Sequence, residues 1–151
     1  MNRSNVNVTA PWGIALLRVV TGFIFLMHGQ QKLFEFGIGG VTGMMTSLGV
    51  PAPGLMAVIV SLVELVGGIA LILGAFTRFA GVLVAIDVLT ALFLVHMPNG
   101  FFAGTNGIEL VLILAAAGIT LALTGPGALA IDGMLPIERR FHSPEVSPAT
   151  R

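Results

Sequence analysis

Along this chain the apolar positions gather into four long runs, separated by short breaks rich in glycine and proline. The runs extend from about Pro11 to Phe34, Gly54 to Phe76, Thr77 to Met97 and Gly104 to Thr124. Each meets the length of about 20 residues that an α-helix needs to cross hydrocarbon. The breaks carry stop signals, Val50-Pro-Ala-Pro-Gly54, Pro98-Asn-Gly100 and Gly125-Pro-Gly127, and Pro11 suits a first helical turn. No run alternates with the period of two that a barrel strand requires. The pattern therefore predicts an all-α integral membrane protein, a four-helix transmembrane bundle over residues 1–135, with 136–151 as a cytoplasmic tail. Two non-spanning pieces complete it. Gly37–Gly49 spaces Val41, Met44, Met45 and Leu48 as a short interfacial or re-entrant helix, and Ala128–Phe141 reads as a short amphipathic helix.

Composition supports this reading. Of the 151 residues 56% are hydrophobic and only 9% are charged, where a soluble domain has about a quarter charged. The formal net charge is +0, and no basic patch is present to hold nucleic acid. Cysteine is absent, which excludes thiol–disulfide exchange, iron–sulfur ligation and cysteine-based zinc sites. The polar N-terminus lacks a small-residue cleavage site after a short apolar core, so no cleaved signal peptide is expected. Arg3, Arg78, Arg139, Arg140 and Arg151 fall on the side shared by both termini, against Lys32 alone on the other. Positive-inside bias then predicts both termini in the cytoplasm of a cell (inner or plasma) membrane.

The charges left inside the apolar runs carry the candidate chemistry, because an ion in hydrocarbon is costly and faces a partner or a cavity. At 1.5 Å per residue, Arg18, Glu64 and Asp87 fall at similar depth, so Arg18 is expected to pair with Glu64, with Asp87, or with both. His28, Lys32, His96 and Glu109 form a second layer towards the outer face, beside Asn99 and Asn106, and Lys32 is expected to meet Glu109. Arg18, Gly22, Phe25, Gly29 and Lys32 share one stripe of the first helix, with glycines that permit close helix contact. His28, Lys32, His96, Asn106 and Glu109 are thus the ligand-binding candidates, with Arg18 and Glu64 as supporting buried charges. Simple interhelical pairing explains the same residues, as hydrogen bonding between them explains the two histidines. No metal site and no covalently bound cofactor is expected.

Several motifs in their order and spacing resemble the DoxX family of small four-helix membrane proteins. They are Leu17-Arg18 with Gly22, Phe25, Gly29 and Lys32; Glu64-Leu-Val-Gly67-Gly68; and Gly74-Ala-Phe-Thr77-Arg78. His96-Met-Pro-Asn99-Gly-Phe-Phe102, Asn106-Gly-Ile-Glu109 and Gly125-Pro-Gly127 with Ala130-Ile-Asp132 follow, so that the match spans Leu17 to Leu135. Ala130 stands where the family often has serine, and Asp87 reads as a feature of this chain. The resemblance implies a membrane subunit linked to a quinone-dependent oxidoreductase or an oxidative-stress system, since the founding member is the small membrane subunit of a thiosulfate:quinone oxidoreductase. Disulfide-exchange activity found near the family needs cysteine and does not carry over. A quinone in the outer polar site, a partner oxidoreductase subunit or a second copy of the chain, and the lipid bilayer are the partners this implies. At most the chain is then one membrane subunit of an enzyme. Two other readings remain: a non-catalytic anchor or scaffold docking a partner through the segment around Arg139 and Arg140, and, more weakly, a small-solute carrier, for which no inverted repeat is visible.

Overall fold

A computed structural model describes residues 9–134. The expectations for the tail 136–151, for Arg3 and for Arg139 and Arg140 lie outside the described residues. Among the described residues there are five α-helices: α1 (Ala10–Gln30), α2 (Gly37–Ser47), α3 (Pro53–Leu73), α4 (Thr77–Ala91) and α5 (Glu109–Thr124). A π-helical turn, Gln31–Glu35, prolongs α1, and another, Leu92–His96, followed by the 3-10 turn Met97–Asn99, prolongs α4. With these extensions the segments Ala10–Glu35, Pro53–Leu73 and Thr77–Asn99 are each long and apolar enough to cross a membrane. The protein is an all-helical membrane bundle.

Three boundaries depart from the pattern of apolar residues. The second run ends at Leu73, because Gly74 adopts the left-handed conformation (φ 67°) that closes a helix. The fourth helix begins at Glu109: Ala103–Thr105 forms a separate 3-10 turn and Asn106, at φ 62°, breaks the path between them. Its 16 residues measure about 24 Å, short of the roughly 30 Å hydrocarbon core. At the C-terminal side, Ile131–Met134 is a single 3-10 turn, where the sequence suggested the start of an amphipathic helix.

Helices α1 and α3 run antiparallel in the closest pairing of the bundle, and α4 and α5 form the other close pair. The reason is the absence of side chains where they cross. A Cβ on Gly22 would lie 2.8 Å from the Gly68 carbonyl oxygen, and one on Gly29 or Gly68 would run into the backbone of Leu65 or Leu26. A Cβ on Gly81 would fall 2.8 Å from the backbone nitrogen of Ala122 in α5. Between the two pairs lies a dry core with Phe25, Leu71, Val84 and Leu121 at its centre. The short helix α2 covers the beginning of α3 through Val41, Met45 and Ala57. Chain direction defines two ends of the bundle: a terminal end, where α1 begins and α5 finishes, and an α2 end opposite.

Gly29→Ala and Gly68→Ala are expected to destabilise the protein by about 1–3 kcal/mol each, because the added methyl meets backbone that cannot rotate aside. Gly13→Ala, whose Cβ meets nothing within 4 Å, should leave the melting temperature in detergent unchanged or raise it. Equal melting of all three variants would contradict this account of the α1–α3 contact.

Candidate functional site

The α1–α3 register decides which charges meet. Gly29 packs on Leu65, Gly22 on Gly68 and Ile72, and Arg18 against Gly74. In this alignment Glu64 faces the end of α1, and Lys32 reaches it: Nζ donates to Oε1 at 2.7 Å and to Oε2 at 2.6 Å. The Lys32 side chain is 17% exposed and that of Glu64 9%. The expected pairing of Arg18 with Glu64, and of Lys32 with Glu109, is therefore not what the chain forms. Depth counted from helix ends misled because α1 overshoots α3 by about two turns at the terminal end.

Asp87 approaches the same place from α4, near enough for its carboxyl to feel the charges of Glu64 and Lys32. One residue from each of three helices thus builds a single cluster in the membrane interior. Glu64 lies nine residues before the end of α3 and Asp87 ten residues after the start of α4, about 13–15 Å from that end of the bundle. Asp87 is a site residue that the motif pattern did not single out; its depth, matching that of Glu64, was the available signal. An apolar groove of about 540 Å³ runs beside the cluster between α3 and α4, lined among others by Val63, Val66, Gly67, Phe79 and Leu83. Val63 adjoins Glu64 in α3, and Leu83 is one turn from Asp87 in α4, but Lys32, Glu64 and Asp87 do not line the groove, which faces outward through Val66 and Phe79.

Arg18 serves the terminal end instead. It is 1% exposed, and its Nη2 donates to the carbonyls of Leu129 at 3.0 Å and Ala128 at 3.3 Å. The segment after α5 folds back over the overshooting turns of α1, with Ala128 N–H donating to the Pro11 carbonyl at 2.9 Å. Asp132, 2% exposed, completes the clasp: its carboxylate accepts from the backbone N–H of Phe76 at 2.5 Å and of Thr77 at 2.8 Å. It thereby caps the first turn of α4, where a negative charge also suits the helix dipole. Arg78 closes the end of α5, donating to the carbonyls of Ala122, Leu123 and Thr124. Phe76 and Leu129 hold positive φ of 50° and 52°, a strain of about 1–3 kcal/mol each that Asp132 and Arg18 fasten in place.

The remaining candidates belong to the α2-end loop and do not converge on the cluster. His96 Nδ1 bonds the carbonyl of Asn106 at 2.8 Å, which Asn99 also approaches. Glu109 accepts from the backbone N–H of Ala103 at 2.9 Å. Both side chains shape the loop between α4 and α5. His28 is exposed and takes no part in either group. Among the described residues no set of three or more histidines, aspartates or glutamates is placed to hold a metal ion.

The DoxX family profile matches residues 13–97. The chain is 38% identical over 127 residues to "Putative oxidoreductase CatD" of Bacillus subtilis, covering 84% of this chain and 90% of that protein. It is 34% identical to the inner membrane protein YqjF of Escherichia coli, with 82% and 92% covered. An uncharacterized protein of Haemophilus influenzae is 35% identical, with 85% and 95% covered. No solved structure matches significantly. The chain belongs to the DoxX family.

Removing one partner of a buried ion pair costs about 3–5 kcal/mol, whereas replacing both with apolar groups is close to neutral. Lys32→Met is therefore expected to lower the melting temperature sharply, and the double variant Lys32→Met/Glu64→Leu to recover most of the loss. Additive effects of the two substitutions would show that the pair is not energetically coupled.

Proposed function

We propose that this protein is the membrane component of a quinone-linked oxidoreductase system, taking a quinone headgroup at Lys32, Glu64 and Asp87. The observation that carries this reading is the ion pair of Lys32 with Glu64 inside the bundle, with Asp87 nearby on α4 and an apolar groove between the same helices α3 and α4. Phospholipid headgroups stay at the interface, so a polar site deep in the bilayer favours a neutral, lipophilic ligand with acceptor oxygens. The Lys32 ammonium would donate to a carbonyl oxygen, and the carboxyl pair would supply or take up a proton beside it. Apolar walls along α3 and α4 suit an isoprenoid tail and keep water from the headgroup. A bound quinone supplies the two-electron chemistry that this cysteine-free chain has no side chain to perform, and the electrons would come from a partner subunit. The oxidoreductase name of the Bacillus relative supports this assignment. The inner-membrane relatives, together with the arginines at the terminal end, support an inner membrane location with both termini cytoplasmic.

This reading moves the ligand from the outer loop to the bundle interior, and the variants separate the two. In lipid nanodiscs, a short-chain ubiquinone or menaquinone analogue is expected to bind saturably. Lys32→Met and Asp87→Asn should each weaken binding about tenfold, equivalent to about 1.4 kcal/mol, while His96→Ala leaves it unchanged. Absence of saturable binding by the unaltered protein would overturn the proposal and favour the anchor reading, in which the segment around Arg139 and Arg140 docks a partner.

A further inference from the structure

The outward face of α1 changes character along its length. Val20, Phe23 and Met27 are exposed and apolar, as a surface against lipid should be. Beyond them His28 and Gln30 are exposed, and Gln31 is half-buried. The α1–α3 register gives the depth of this polar patch. Gly29 packs on Leu65, a residue about 18 Å from the start of α3 and about 12 Å from its end at 1.5 Å per residue. His28 and Gln30 flank Gly29, so both stand near the middle of a helix about as long as the hydrocarbon core is thick.

Lipid tails at that depth offer no hydrogen bonds, and polar side chains within a membrane face protein or a water-filled cavity. Gln31 Nε2 donates to Glu35 at 3.3 Å, whereas among the described residues the side chains of His28 and Gln30 have no hydrogen-bond partner. The other long helices offer a contrast. Between their ends, the exposed positions of α3, α4 and α5 are apolar apart from Thr90, whose hydroxyl donates to the Ile86 carbonyl of its own helix at 2.8 Å. Only on α1 does the lipid-facing surface carry unmet polar groups.

Spacing along α1 shows what kind of surface would cover them. Leu17, Val20, Ile24, Met27, Gln31 and Phe34 follow one another at alternating intervals of three and four. That is the heptad seam of two helices packed in parallel, and a polar residue at one seam position fixes partner and register. Gln31 holds such a position, while His28 and Gln30 flank the seam. The residue types also select the partner. Glutamine and histidine each carry both a donor and an acceptor, so they can bond their own counterparts across a two-fold axis, where a contact sets one patch against itself. A lysine or a carboxylate could not.

We propose that this face of α1 is where two copies of the chain pair in the membrane, their first helices parallel, with Gln31 bonded to its counterpart and His28 and Gln30 enclosed between the subunits. The pairing does not depend on what the Lys32–Glu64 pair binds, because that pair faces α3 and this patch faces outward.

The cysteine-free chain allows the contact to be trapped. Single-cysteine variants Met27→Cys and Gln31→Cys are compared with Ile86→Cys in α4 and Ile119→Cys in α5, both exposed on other faces. Membrane vesicles are oxidised with iodine, which enters lipid, and covalent dimer is read on a gel. The two seam cysteines should cross-link about ten times faster than the two controls, since pairing raises their effective concentration. Equal rates at all four positions, or faster linking at Ile86→Cys or Ile119→Cys, would overturn the proposal. A second measurement needs no cysteine. Unaltered chains labelled at the N-terminus with donor and acceptor dyes should show energy transfer in liposomes that falls only on dilution with lipid. Gln31→Leu should weaken this self-association about tenfold, as loss of an interhelical hydrogen bond does in hydrocarbon, with the melting temperature of the diluted protein unchanged. Transfer no greater than random mixing gives, as expected if another membrane protein covers the patch, refutes the pairing. An unchanged dilution curve for Gln31→Leu refutes it as well.

Discussion

The backbone contact between α1 and α3 governs the rest of this molecule. Gly22, Gly29 and Gly68 let the two helices touch without intervening side chains, and a contact of that kind has little freedom to slide. Lipid tails offer no hydrophobic drive for helix association, so close van der Waals fit must set the geometry. Once Gly29 lies on Leu65, Lys32 is bound to meet Glu64, and Arg18 is carried past the end of α3. The pairing of charges is thus a consequence of packing rather than its cause.

The overshoot of α1 creates a need that the end of the chain meets in part. It bonds Nη2 of Arg18, while the buried Nε and Nη1 stay without a hydrogen-bond partner among the described residues. Two turns of α1 with a buried guanidinium would otherwise stand uncovered, and a cation left unsatisfied in an apolar setting is costly. The segment Gly127–Asp132 supplies carbonyls to Arg18 and a carboxylate to the first N–H groups of α4. Residues 18, 74, 77 and 132, distant in sequence, form one clasp. It holds the turn between α3 and α4.

Much of the architecture was legible from hydrophobic runs and their breaks, and family motifs marked Arg18, Lys32 and Glu64 as important. What could not be read was the offset between neighbouring helices, because run length gives a helix its span but not its height. That single unknown exchanged the partners of Arg18 and Lys32. The outer loop misled for another reason: His96, Asn106 and Glu109 satisfy backbone groups of a tight irregular turn, a task that leaves no periodic trace. Asp87 lacked a motif, and only tertiary placement gives it meaning. The clasp was hidden because Arg18 and Asp132 each meet backbone groups, the carbonyls of Ala128 and Leu129 and the N–H groups of Phe76 and Thr77, where sequence records no functional group.

The bundle consists of two close pairs, α1 with α3 and α4 with α5, meeting along a looser seam that opens into the apolar groove. Glu64 belongs to one half and Asp87 to the other. A small rotation of the halves about the seam changes the distance between two carboxyls while leaving the Lys32–Glu64 pair intact, since both of its members ride on the same half. A lipophilic molecule seated between the halves would thus act on the spacing of two carboxyls without disturbing the ion pair beside them.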